Sequence, residues 1–186
     1  MVEDMVVVLG MHRSGTSAMM HLLAAEGVDL GTTEDLMEAQ PYQPHGYAEH
    51  WTVCRAHDHL LRHYGVHWDT DTDLPADYLS DPVVSAFQGT MGTWMATNFS
   101  GPIAAIKDPR ISRLVPVWDP IWSRLGIAPH FLVMHRDPIE IAQSLIQVDA
   151  AQHRPTSHTA DSYMQLAHRY HAEALALTTG RDRLLV

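Results

Sequence analysis

Gly10-Met-His-Arg-Ser-Gly15-Thr-Ser17 lies between a short apolar run and a helix-forming stretch. Its residue types suit one task, holding an anion. Glycines let backbone N–H groups turn toward a phosphate, and the N-terminus of the following helix adds its positive end. The spacing matches the two glycines and the closing Ser of a Walker A loop. Thr16 stands where that loop has lysine, however, and a cation appears earlier, at Arg13. A nucleotide kinase or hydrolase uses the lysine between the β- and γ-phosphates and the next Ser or Thr on Mg²⁺, so its loss argues against nucleoside-triphosphate chemistry.

Three further groups carry charge at places where a ligand is expected. Lys107, the chain's single lysine beside eleven arginines, opens Lys107-Asp108-Pro109-Arg110 after a second apolar run. Arg136 follows a third such run, with Pro138 opening a helix and Ser144 eight residues after the arginine. An arginine at a strand's C-terminal end faces the ligand crevice of an open α/β sheet and can grip a phosphate bidentately. The fourth group is Pro44-His-Gly-Tyr-Ala-Glu49. Read by itself, Glu49 is an acid placed to favour a helix dipole.

Short strands alternating with helices must position these groups. Met5–Leu9, Pro102–Ile106 and His130–His135 are continuous apolar runs of the kind buried on both faces of a parallel sheet, and Arg183–Val186 reads as the opening of a fourth strand. A helix is expected from Gly15 to about Gly27, burying Ala18, Leu22 and Ala25, and another over 47–64 with Trp51, Val53, Leu60 and Leu61 inward. Asp81-Pro82 starts a third, inward at Val84, Phe87, Met91 and Trp94. A short, proline-interrupted helical stretch follows around Leu114–Leu125. Asp137 caps the next helix, with Glu140 completing a capping box and Ile141, Leu145 and Val148 inward. A last helix over 159–179 turns Tyr163, Leu166, Tyr170, Ala174 and Leu177 to the core. The alternation predicts a three-layer α/β/α domain over residues 1–186 with a central parallel sheet.

Arg-Ser-Gly-Thr after a strand resembles the 5′-phosphosulfate loop of sulfotransferases that use 3′-phosphoadenosine 5′-phosphosulfate (PAPS). Val133-Met-His-Arg136-Asp-Pro138, with Ser144, resembles the 3′-phosphate element of the same family, and Lys-Asp-Pro-Arg and Gly-Tyr-x-Glu are similar to a bacterial branch of it. The resemblance runs from Met5 to Val186 and implies a P-loop sulfotransferase fold. It also implies sulfuryl transfer from PAPS to a hydroxyl or amine, with adenosine 3′,5′-bisphosphate leaving. By it, His12, Arg13, Ser14, Gly15, Thr16, Ser17, Arg136 and Ser144 bind the cofactor. Lys107, Arg110 and Tyr47 meet the acceptor, and Arg13 and Lys107 stabilise the leaving charge. Glu49 is the first candidate base, with His45 and His50 as rivals because histidine titrates near working pH. No histidine follows Lys107, unlike several members of the family. A segment beyond a fourth strand, which in the family adds contacts to adenine and the 3′-phosphate, is not seen.

The 186 residues, 46% apolar and 18% charged, suit a globular domain. A net charge of −10 argues against a broad nucleic-acid surface but leaves room for one small anionic site. The acceptor is expected to be a small molecule or glycan, shaped by the loops at 28–46 and 65–80, with Trp51, Tyr64 and Trp68 available for stacking. The lone Cys54, the absence of a basic, apolar leader and the lack of any run near the ~20 apolar residues of a membrane span read as a cytoplasmic protein. His59, His63 and His67 recur every four residues, but without a His-Glu-x-x-His motif or a second cysteine no metal is expected. Two rivals stand beside sulfuryl transfer. One is a P-loop kinase or other nucleotide-binding protein, with Asp108 as its Mg²⁺ ligand, and the other a non-catalytic nucleotide-binding module.

Overall fold

The computed structural model describes residues 2–154 and 156–186. Four strands, β1 (Asp4–Leu9), β2 (Ile103–Lys107), β3 (Ala128–Val133) and β4 (Arg183–Leu185), form one parallel sheet in the order β2-β1-β3-β4. Parallel pairing demands a crossover between neighbours, and helices supply it: α1 (Thr16–Ala25), α2 (Trp51–His63) and α3 (Pro82–Asn98) before β2, α4 (Ile111–Leu125) before β3, and α5 (Pro138–Ala151) with α6 (Ala160–Leu177) before β4. Along β1, Met5, Val7 and Leu9 join a core with α2, α3 and α4, while Val8 packs with Met20 of α1 and Ala105. The sheet is thus covered on both faces, as the continuous apolar runs imply.

The chain leaves β1 for β2 on one side and returns past β1 to β3 on the other. The C-terminal end of β1 is therefore a topological switch point, where open α/β sheets form their ligand crevice. Register places Val8 beside Lys107 and Leu9 beside Val133, so the segments following β1, β2 and β3 emerge together at that crevice.

Several elements depart from expectation. Helix α1 buries Thr16 and Met20 and leaves Ala18, Leu22 and Ala25 outward, with Leu22 55% exposed. Apolar residues surround this helix, so its sequence does not single out a buried face. Helix α2 begins at Trp51, four residues late, because Ala48 takes a left-handed φ of 51° and His50 is extended; Trp51 is partly exposed rather than core. Helix α4 runs unbroken through Pro116 and Pro120. Tryptophans 118 and 122, with Ile111, Leu114, Val115, Val117 and Ile121, are fully buried along it, and that packing outweighs the lost hydrogen bonds. Asp137 caps α5 through Ile139 N–H, but Glu140 pairs with Arg136 at 2.9 Å instead of completing a capping box.

At the far end from the crevice His130 ties the sheet together, its ring 2.8 Å from Asp4 and 2.6 Å from Asp182. Hydrogen bonds to Asp4 and Asp182 raise its pKa above the ordinary value. The stabilisation is present in full below the unfolded value near ~6.5 and is lost as pH rises through the raised folded value. The ring is 40% exposed, so screening limits the effect to under about 1 kcal/mol. Denaturant melts between about pH 5 and about pH 9 should show this alkaline decline in the wild type and a flatter profile in His130→Asn.

Candidate functional site

The segment after β1 turns back on itself at three residues with positive φ, Gly10 (149°), Arg13 (70°) and Gly15 (95°). Gly10 cannot be replaced without cost, since a Cβ there would lie 2.6 Å from the Ser14 hydroxyl. That hydroxyl donates to the Met11 carbonyl (2.7 Å), and the Ser112 hydroxyl of α4 accepts from Gly10 N–H (2.9 Å), fixing the loop from below. Helix α1 then starts with Gly15 as its cap residue and no side chain capping it. The orphan N–H groups of a first turn thus stay available to an anion. Ser14 and Thr16 are buried, and the Ser14 N–H and hydroxyl both bond the Met11 carbonyl, so Ser14 braces the loop from within.

Above this loop lies a cavity of about 170 Å³ whose walls include His12, Arg13, Tyr47, Glu49, Lys107 and Arg136. Arg13 Nε donates to the Ser144 hydroxyl of α5 (2.9 Å), and its guanidinium also holds the Gln43 side-chain carbonyl. Arg136 Nη1 donates to the Arg13 carbonyl (2.8 Å). Arg13, Arg136 and Ser144 therefore meet at one place, although 131 residues separate Arg13 from Ser144. Burial lowers Arg13's proton affinity and the nearby Arg136 adds to this, while Glu140 pairs with Arg136 from its other side.

Lys107 projects into the same cavity, only 3% exposed. Its ammonium donates to the Ser17 hydroxyl (3.1 Å), to the Tyr47 carbonyl (3.1 Å) and to a Glu49 oxygen. The other Glu49 oxygen accepts from the Cys54 thiol at 3.4 Å. Glu49 is thus a buried ion-pair partner one residue before the cap of α2, His50, not an acid in that helix's first turn. The Ser17 hydroxyl, which a Walker loop would turn to Mg²⁺, faces an ammonium ion.

A second cavity of about 300 Å³ adjoins the first and shares His12, Arg13, Tyr47 and Glu49 with it. Trp51, Trp68, Met37, Leu145 and Val148 give it apolar walls, and Arg110 with Asp58 forms part of its polar lining. Arg110 grips Asp108 with two 3.1 Å bonds and Asp58 at 2.8 Å. Trp68 carries His12 on one side (ring centroids 4.4 Å) and the Arg154 guanidinium 5.3 Å from its ring centroid. Tyr64, by contrast, packs against the main core. The loop bearing Trp68 is clamped onto α6 by Arg169, which reaches Asp71 and Asp73, and onto α4 by Arg113, which donates to the Thr72 carbonyl.

The structure gathers most of the sequence-derived residues but not all. His45 is exposed, near His21, and lines neither cavity. His50 is buried with its Nε2 on the Leu30 carbonyl (2.8 Å) and lines neither cavity. Gln43 and Cys54, which touch Arg13 and Glu49, carried no sequence signal beyond lying near Glu49 in the chain. Glu49, Cys54 and Asp108 lie within 4.8 Å of one another, the one grouping of metal-ligand type among the described residues. Lys107 and Arg110 already pair with the two carboxylates of this group, and burial pushes the Cys54 thiol well up. His59, His63 and His67 form no such group; His63 instead lies 3.2 Å from Asp81. Among the described residues no helix is long and apolar enough to cross a membrane.

No protein-family model matches the chain, and no curated protein matches it in sequence. Among solved structures it is similar to the sulfotransferase domain from the curacin biosynthetic pathway, at 10% identity and a TM-score of 0.47, over 100% of this chain and 67% of that one.

Proposed function

We propose that this chain is a sulfotransferase: it moves the sulfuryl group of PAPS to a hydroxyl or amine of a small-molecule or glycan acceptor and releases adenosine 3′,5′-bisphosphate, residues 1–186 acting as one unit. The observation that carries the reading is the meeting of Arg13, Arg136 and Ser144 over an uncapped helix start. The loop after β1 and the segment after β3, the two elements that resemble the family's phosphate-binding motifs, are joined there, which supports a ligand carrying a 5′-phosphosulfate and a 3′-phosphate. Transfer leaves negative charge on the 5′-phosphate oxygen. The uncapped N–H groups of α1's first turn and the Arg13 guanidinium supply donors to that oxygen, and Lys107 adds positive charge from beside Ser17. The acceptor enters from the second cavity, between Trp51 and Trp68, with Arg110 and Tyr47 on its polar side.

The kinase reading fares worse on two contacts. Ser17 is engaged by Lys107, and Asp108 is held by Arg110 and by the Arg110 backbone N–H (2.8 Å), so neither is free for Mg²⁺. Calorimetric titration with adenosine 3′,5′-bisphosphate, adenosine 5′-monophosphate and Mg-ATP tests the proposal. Preference for the bisphosphate is expected. Preference for Mg-ATP moves the chain to the kinase class, and no binding removes the two-element reading. Bisphosphate binding without PAPS turnover leaves a non-catalytic module.

A further inference from the structure

Sulfuryl transfer to a hydroxyl needs a group that accepts the hydroxyl's proton while facing both the donor and the acceptor. If the first cavity holds the phosphosulfate and the second the acceptor, that group must stand in the wall common to both. Four residues do: His12, Arg13, Tyr47 and Glu49. Arg13 is a guanidinium and keeps its proton. The Tyr47 phenol is pushed up by burial and by the Tyr42 hydroxyl, so it too stays protonated. Glu49 is 4% exposed with one oxygen on the Lys107 ammonium and the other on the Cys54 thiol. For it to act as a base it would have to break a buried ion pair, at a cost of several kcal/mol.

His12 is left. Its ring is braced against Trp68 and lines both cavities; Nε2 is buried without a hydrogen-bond partner, so Nδ1 is the nitrogen open to an acceptor. We propose that the imidazole of His12 is the general base of this site, and that Glu49 serves to hold Lys107. The inference rests on the sulfotransferase reading. In the step, the acceptor oxygen forms a bond to sulfur as its proton passes to the imidazole. The bond from sulfur to the 5′-phosphate oxygen breaks, and its electron pair leaves with adenosine 3′,5′-bisphosphate. The imidazolium returns its proton to solvent once products depart.

The surroundings keep the imidazole neutral, as a base must be. Burial lowers its pKa well below the ordinary value; Arg110, Lys107 and Arg13 act in the same direction, and Asp108 opposes them. Arg154 lies over the Trp68 ring, and Glu49 faces the same wall with its charge already matched by Lys107. The acid limb of turnover is therefore expected below the ordinary histidine value of about 6.5.

The test uses the full chain, His12→Asn and His12→Gln. Imidazole NMR of the wild type, assigned by difference from the variants, should show His12 neutral at pH ~7; an imidazolium there overturns the proposal. PAPS consumption is then followed at pH ~8 with tyramine, whose phenol is still protonated, with 4-nitrophenol, largely ionised there, and with water alone. Loss of a general base costs about 10²–10⁴-fold with a protonated acceptor and far less with an ionised one. Variants that still bind adenosine 3′,5′-bisphosphate but lose turnover with tyramine or water support His12 as base. Variants within about tenfold of wild type there overturn it and leave the sulfotransferase reading intact. A wild type that binds no bisphosphate removes that reading, and this inference with it.

Discussion

Arg13→Ala is expected to lose both affinity for adenosine 3′,5′-bisphosphate and turnover of PAPS, the latter by about 10²–10³-fold, the usual effect of removing one preorganised donor from developing charge. The size follows from the position. Arg13 is partly buried and held at Nε by Ser144, with its carbonyl held by Arg136. Its partners are neutral groups, Ser144 and Gln43, so no carboxylate competes with an incoming anion. Arg13→Lys keeps the charge but not the fork that spans Ser144 and a phosphate together, and should recover only part of the loss. Calorimetry with the bisphosphate and steady-state kinetics with PAPS check both statements. Unchanged affinity and kinetics in Arg13→Ala would take Arg13 out of the site.

The second large effect is on stability. Lys107 and Glu49 form a buried pair, 3% and 4% exposed. Lys107→Met leaves the Glu49 charge without its cation, which costs about 3–5 kcal/mol. For a chain of this size that lowers Tm by roughly 6–20 °C. The double variant Lys107→Met/Glu49→Leu removes both charges and should regain most of the loss, because apolar groups of similar volume replace a buried pair at little cost. Turnover should stay lost in both, since the ammonium beside Ser17 is gone. Thermal melts of the two single variants and the double variant measure the coupling directly. Additive losses would mean that the pair is not the interaction the geometry indicates.

Elements with one strong local signal were legible in the sequence. Met5–Leu9 and the runs near β2 and β3 are apolar throughout, and such runs have few alternatives to a doubly covered strand. Asp81 caps α3 through Val83 N–H as Asp81-Pro82 implies, and Tyr163, Leu166, Tyr170 and Ala174 line the buried side of α6. Where local signals were mixed or misleading, packing decided. Helix α1 had apolar residues all round, and α4 had two prolines whose effect the buried tryptophans overrode.

The site divides the same way. Residue types and spacing alone determined a glycine-bounded loop without the Walker lysine, an arginine after a strand with a serine further along, and one lysine at a strand's end. Those features depend on a few adjacent residues, and chain order preserves them. Which groups meet was decided only by the tertiary structure. The strand order brings the ends of β1, β2 and β3 to one crevice, and burial joins Lys107 to Glu49 across 58 residues. The same packing ties His50 to a backbone carbonyl, turns His45 outward and sets His12 between two cavities. A side chain's charge state and reach depend on what surrounds it in space, and its sequence neighbours supply little of that.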